Sequence, residues 1–229
     1  MQETIKYLPL PKDARVIERA GIKYPSVTTI LSAIYPISFP EYKLRQYAAR
    51  GSIVHAQIRH FLHTGIWETD LLKIPRTPEE MLRMCSDIQI VSSGNLRLSL
   101  KACNFLGFLD KYGKDFKPWE GGVGDELCFN EQFGYVGTRD WRCLYKDEPA
   151  VADFKTASHY SEDKVRKFKK QTSAYAKCDI SGEIKQTIII PLNPGNKCGF
   201  SKPIVERDVD TYFKYFIKDR KIFREVYGL

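Results

Sequence analysis

The stretch YVGTRDWRCLYKDEPAVADFK, residues 135–155, decides the fold. It reads as two β-type runs, Tyr135 to Tyr145 and Ala150 to Lys155, joined by the turn-forming Lys146-Asp147-Glu148-Pro149. Strand side chains alternate between faces, so Asp153 and Lys155, two apart, project from the same face. Folding the chain back at the turn brings Asp140 near Asp153. Two close carboxylates repel unless a divalent cation sits between them, and oxygen donors suit Mg²⁺ or Mn²⁺. A neighbouring lysine can orient water or neutralise charge developing on a phosphate. A surface ion pair on a hairpin is the other reading of the same residues.

The tripeptide itself is not specific, because acid-x-Lys also begins at residues 41, 115, 162, 183 and 219. Asp115-Phe116-Lys117 even repeats the letters of Asp153-Phe154-Lys155. Context separates them. Only the second ends an apolar run, Ala150-Val151-Ala152, behind a hairpin bearing another acid.

Working outward, short β-type runs surround the hairpin, at Asp125 to Asn130, Gln186 to Leu192 and near Pro203 to Glu206. Glu162 to Asp179 and Val209 to Tyr227 read as helices. Before Pro118 the texture is helical. Val27 to Leu31 follows a Ser26 cap, Glu41 to Thr64 carries an apolar stripe stopped by Gly65, and two further helices run from Pro78 to Ile90 and from Leu96 to Tyr112. That order implies an α/β fold with a mixed central sheet flanked by helices. The chain divides into an N-terminal helical segment, residues 1–118, packed on and arching over a core at residues 119–229, within one structural domain.

Composition agrees with a single globular domain. The chain has 229 residues, 43% of them hydrophobic, enough to build a core without a disulfide or metal staple. The six cysteines are never two or three apart in a Cys-x-x-Cys pair, so structural zinc and redox motifs are not expected. Residues 1–13 lack the apolar centre of a signal peptide and no run approaches ~18 apolar residues, so an intracellular, cytoplasmic protein without a membrane partner is expected. A net charge of +8 favours an anionic partner, nucleic acid being the commonest. No Walker loop, Rossmann glycine fingerprint, His-Glu-x-x-His or Gly-x-Ser-x-Gly elbow is present. Nucleotide hydrolysis, hydride transfer and serine hydrolysis therefore lose their usual support.

Helix periodicity adds candidates. At about 100° per residue His55 falls in the arc holding Gly51, Ile58 and Leu62, where it is either a hydrogen-bonded core imidazole or a metal ligand. On the charged helix Phe168, Gln171, Thr172 and Tyr175 share one face, while Arg166, Lys169, Lys170 and Lys177 lie opposite and look outward. Tyr47, Trp67 and Trp141 are candidates for base stacking and equally for the core.

Four blocks in order resemble the PD-(D/E)XK nucleases of the RecB-like exonuclease branch, the group holding the mitochondrial genome maintenance exonuclease and many phage exonucleases. They are Pro25-Ser26-Val27-Thr28-Thr29-Ile30-Leu31; Arg50-Gly51-Ser52-Ile53-Val54-His55; Gly137-Thr138-Arg139-Asp140 with Asp153-Phe154-Lys155-Thr156; and Gln171-Thr172-Ser173-Ala174-Tyr175. The resemblance spans residues 25–192. It implies a restriction-endonuclease-like core, with His55, Asp140, Asp153 and the Phe154 carbonyl as ligands of Mg²⁺ or Mn²⁺ and Lys155 as the catalytic lysine. It also places Gln171 and Tyr175 along the site against the DNA strand, with Glu126 as a further acid on the first strand, where Glu131 competes. Lys169, Lys170 and Arg166, on the basic stripe, are the candidate DNA contacts, a solvated stripe being the other reading. Iron–sulfur members need a tight C-terminal cysteine cluster. Cys178 and Cys198 are twenty apart, so no iron–sulfur cluster is expected.

The activity so implied is metal-dependent exonucleolytic hydrolysis of DNA, preferring single-stranded ends, in replication, recombination or repair and alongside proteins of those processes. The short single-domain length fits a phage or virus better than a helicase-fused cellular enzyme, and for a viral protein the expected location is the host cytoplasm. A catalytically silent DNA-binding module would lack an acid or the lysine. A hydrolase of small phosphorylated substrates would have a compact phosphate pocket.

Overall fold

The structure is a computed structural model that describes residues 7–36, 38–74, 77–93, 100, 103–178 and 183–229, with backbone alone for residues 120–126. Its first element was not anticipated. Ala20 and Gly21, both at positive φ, close a tight hairpin between β1 (Val16–Arg19) and β2 (Ile22–Pro25). Ser26 then caps α1 (Val27–Ile34) by accepting from the Thr29 N–H, and the Thr29 hydroxyl accepts from the Arg15 N–H at 2.8 Å, fastening hairpin to helix.

The long apolar stripe becomes α2 (Glu41–Thr64), ended by Gly65 in the left-handed region with its N–H on the Phe61 carbonyl. α3 (Pro78–Ser93) follows, then α4 (Phe105–Tyr112), capped by Asn104. The expected helix from Leu96 to Tyr112 is present in its second half; residues 94–99 and 101–102 lie outside the described residues.

The strand expected at Asp125 starts nine residues earlier, as β3 (Phe116–Asn130). Pro118 and the glycines of residues 121–124 are absorbed by register shifts on both sides of Val123. β3 is an edge strand, where a proline without an N–H is tolerated. It pairs with β4 (Tyr135–Tyr145), which pairs with β5 (Glu148–Lys155). Their turn is tighter than the sequence suggested. Lys146 and Asp147 alone occupy it, at φ 51° and 66°, so Pro149 already pairs with Leu144 inside the ladder.

After β5 the helix α5 (Glu162–Ala176) carries the chain to β6 (Gln186–Pro191), parallel to β5, and β7 (Ile204–Glu206) closes an edge before α6 (Val209–Tyr227). The sheet order is β3-β4-β5-β6-β7, all antiparallel except β5–β6. The fold is thus mixed α/β. Among the described residues, no helix is long and apolar enough to cross a membrane.

Two apolar clusters sandwich the sheet. Ala150, Ala152 and Phe154 of β5 join Val54 and Ile58 of α2 and Phe105 and Phe108 of α4 in one. Val151 joins Ile30 of α1, Tyr175 of α5 and Phe216 of α6 in the other. Helices before and after residue 118 therefore share cores with the same strand, which fixes α2 and α5 relative to the end of β5. Trp141 is 4% exposed and stacks on Phe116 and Phe154 as a core residue, and Trp67, partly buried, packs against the same core on Phe61 and Phe105.

Candidate active site

At the C-terminal end of β5 the β4–β5 ladder stops at Trp141 opposite Ala152. One step further, where Asp140 comes opposite Asp153, the Phe154 N–H is taken by Asp140 Oδ2 at 2.8 Å instead of a strand carbonyl. The other oxygen, Asp140 Oδ1, lies 3.1 Å from His55 Nδ1 on α2. His55 is half-buried on the side of α2 that meets β4, and its partner there is a carboxylate. Burial alone raises the Asp140 carboxyl, but His55, Lys155 and the Phe154 N–H outweigh it and hold the acid below its ordinary range. Burial lowers His55 while Asp140 and Asp153 raise it, and the carboxylates prevail.

Asp153 is in the opposite condition. It is 2% exposed, and burial together with the Asp140 charge pushes its carboxyl up to about 6, although Lys155 pulls it down. Lys155 Nζ is in ion-pair contact with Asp153 Oδ2. The two neighbouring carboxyls are thereby pushed in opposite directions, Asp140 down and Asp153 up.

Lys155 donates to Gln171 Oε1 at 3.0 Å, and Gln171 Nε2 donates to the Tyr175 hydroxyl at 2.7 Å. Gln171 and Tyr175 lie one turn apart on α5, which presents both to the strand end. Burial keeps the Tyr175 hydroxyl protonated, far above its usual range, and the Asp153 charge adds to the shift. Room for its ring comes from Gly137, where a Cβ would stand 2.5 Å from Tyr175 Cδ1.

Other expected residues fall differently. The Glu126 backbone pairs with Arg139 in the β3–β4 register, and its side chain lies outside the described residues. Glu131 is paired with Arg19, on the exposed hairpin edge. Lys170 was expected to look outward. Instead it is 8% exposed and donates to Asp219 Oδ2 at 2.8 Å and to the Tyr35 hydroxyl at 2.6 Å, because α6 packs over that side of α5. Lys169 is turned to Glu206 at 2.8 Å, at the β7 edge. Arg166 is exposed, as expected.

His55, Asp140, Asp153, Lys155, Gln171 and Tyr175 all line one cavity of about 730 Å³. Arg15, Arg59 and Arg83 also line it, and the sequence reading assigned them no role. A signal existed for one: Glu80, Arg83, Met84 and Asp87 recur at helical spacing on α3 and share the cavity wall. Arg15 had none, since its Nη1 reaches the Thr138 hydroxyl at 3.2 Å only through the unforeseen hairpin.

Among the described residues, no three His, Cys, Asp or Glu side chains form a ready-made metal cage. The donor chemistry nevertheless fits a hard divalent cation, since the Asp140 carboxylate is held ionised and the buried Asp153 carboxyl lines the same cavity.

No family model and no curated protein matches the chain. Among solved structures, one described as "Crystal structure of SSO0001" aligns over 86% of this chain and 84% of its own length at 12% identity, with a TM-score of 0.30, too low to carry an argument.

Proposed function

We propose that the protein is a divalent-metal-dependent DNA exonuclease of the PD-(D/E)XK type. The observation carrying this reading is the convergence of Asp140, Asp153 and Lys155, with His55 and Gln171, in one cavity whose wall also holds Arg15, Arg59 and Arg83. His55, Asp140, Asp153 and the Phe154 carbonyl would hold Mg²⁺ or Mn²⁺, which supplies Lewis-acid activation of water and neutralises charge on the phosphate. Asp140, held ionised, provides a fixed negative charge for the cation, and Asp153 would join it as a second carboxylate ligand. The Lys155 ammonium, fixed by Gln171, is set to stabilise charge building on the scissile phosphate. The arginines on the wall suit the phosphate backbone of a strand entering from its end. On this reading the protein acts on DNA in replication, recombination or repair.

The test is incubation with end-labelled linear and circular, single- and double-stranded DNA in Mg²⁺, Mn²⁺ or EDTA. Loss of end label from linear DNA, with circular DNA intact and EDTA blocking the reaction, is expected. Metal-independent binding without cleavage would point to a silent DNA-binding module, and cleavage of circles to an endonuclease.

A further inference from the structure

Lys155 lines a second cavity as well as the first. This groove, of about 800 Å³, runs between the start of α2, the segment after β5 and the N-terminal half of α5. Six of its lining residues are Lys or Arg and one, Asp163, is acidic. Lys164 and Lys167 spend their ammonium groups on backbone carbonyls of His159 and Tyr35, and Arg50 bonds the Thr156 carbonyl, so none of these charges is neutralised by a carboxylate in those contacts. Burial lowers the Lys167 pKa and repulsion from Lys155 adds to it.

The same groove is aromatic. Phe39 and Tyr47 meet edge-to-face at 6.1 Å while remaining 51% and 42% exposed. Tyr47 is steadied by Arg50, whose guanidinium carbon lies 5.3 Å from its ring centre. Phe168 closes the wall against the site, with Lys155 Nζ 5.0 Å above its ring. Two exposed rings side by side among cations match a ligand with alternating anionic and flat apolar parts. A polynucleotide has that alternation. Only an unpaired strand can offer its base faces to protein rings, since a duplex keeps them inside its own stack.

Resting on the nuclease reading above, we propose that this groove is a single-strand subsite next to the scissile phosphate, with bases stacked on Phe39 and Tyr47 and phosphates on Lys164, Arg166 and Lys167. Strand selection is then made here, on the far side of Lys155 from the carboxylates. Arg166 keeps a DNA-contacting role in this arrangement while Lys170 does not.

The experiment is fluorescence-anisotropy binding of labelled oligo(dT) and of a blunt duplex in EDTA, for the wild type and for the double variant Phe39→Ala/Tyr47→Ala. Both rings are exposed, so the double variant should melt with the wild type. Expected are at least tenfold weaker oligo(dT) binding, little change for the duplex, and recovery in Tyr47→Trp, which keeps the ring. A strand carrying 5-iodouracil should cross-link to Tyr47 or Phe39. Undiminished oligo(dT) affinity in a folded double variant, or equal loss for duplex and single strand, overturns the subsite. So does displacement of the strand by poly(Glu) in the wild type and the double variant alike, which marks a bare cationic patch. If linear DNA is still degraded in Mg²⁺ under any of these outcomes, the nuclease reading stands and the groove alone is refuted; if neither binding nor cleavage occurs, both fall.

Discussion

Lys155 Nζ donates to Gln171 Oε1 across 3.0 Å, so the end of β5 and the middle of α5 are joined through one amide. The second half of that amide donates to the Tyr175 hydroxyl, which leaves Gln171 no freedom to rotate away. A lysine has four rotatable bonds, and an ammonium held in position loses no free energy to reorganisation when charge develops beside it. Gln171 is in this view a positioning residue for Lys155.

Lys155→Ala is expected to lower turnover by on the order of a hundredfold or more, the scale for one preorganised electrostatic contact. DNA affinity in Ca²⁺ should change far less. Gln171→Leu, which preserves volume and removes the amide, should lower kcat by about tenfold with KM nearly unchanged, because it loosens the ammonium without removing it. Single-turnover rates and equilibrium binding, measured on both variants, separate the roles. A parallel fall in affinity and rate for Lys155→Ala would make the residue a backbone-binding group.

The raised Asp153 carboxyl has a consequence for stability. Unfolded, the group titrates near its ordinary 3.8; folded and metal-free, it keeps its proton until about pH 6. Its contribution is therefore fully present below about pH 4 and is lost as pH rises through 6, amounting to up to about 3 kcal/mol. Urea unfolding in EDTA should show the wild type losing stability between pH 4 and 6 relative to Asp153→Asn, whose amide does not titrate. Excess Mg²⁺ should restore part of it. Parallel pH profiles for the two proteins would place the titration elsewhere.

The hairpin that carries Asp140 and Asp153 was legible in the sequence because a polar turn separates two apolar runs and strand alternation fixes which side chains share a face. His55, Gln171 and Tyr175 were legible as helix-face residues, since periodicity reports direction. Periodicity failed for Lys170, which sits opposite the sheet-facing stripe and would be solvated on an isolated helix; α6 covers it, and that packing is not encoded locally. The β1–β2 hairpin was missed for a different reason: four-residue strands with a single turn carry too few residues for alternation to register, and Ala20 at positive φ gives no warning. β3 was shortened because Pro118 and the following glycines look like a break, whereas an edge strand accommodates both through bulges.

Gly137 offers a test of how tightly Tyr175 is seated. A methyl group there would stand 2.5 Å from Tyr175 Cδ1 and 2.9 Å from Cys128 Sγ, with no flexible chain end to give way. Gly137→Ala should destabilise by roughly 1–3 kcal/mol through overpacking and should displace the Tyr175 hydroxyl from Gln171. Tyr175→Ala in the same chain should recover much of that stability, so the two changes will be strongly non-additive by chemical denaturation. Additive losses would show that the ring already has room to move.

The last prediction separates structure from DNA binding on α5. Lys170 and Asp219 form a buried ion pair, 2.8 Å apart, and the Tyr35 hydroxyl donates to Asp219 Oδ1 at 2.9 Å while accepting from Lys170. Three helices, α1, α5 and α6, meet at this point. Burial works against the Lys170 charge, but Asp219 and Tyr35 raise its pKa above the ordinary lysine value, so the ammonium keeps its charge through neutral pH. Removing one partner leaves the other charge buried, which commonly costs about 3–5 kcal/mol. Lys170→Met should therefore lower the melting temperature sharply, and Asp219→Leu in the same chain should recover most of the loss, since Tyr35 is partly exposed and its hydroxyl can turn to water. Oligonucleotide affinity and its salt dependence, measured on the stable double variant, should match the wild type, whereas Arg166→Gln should reduce the salt slope by roughly one unit. A reduced slope in the Lys170 double variant would return that lysine to the DNA-contacting face.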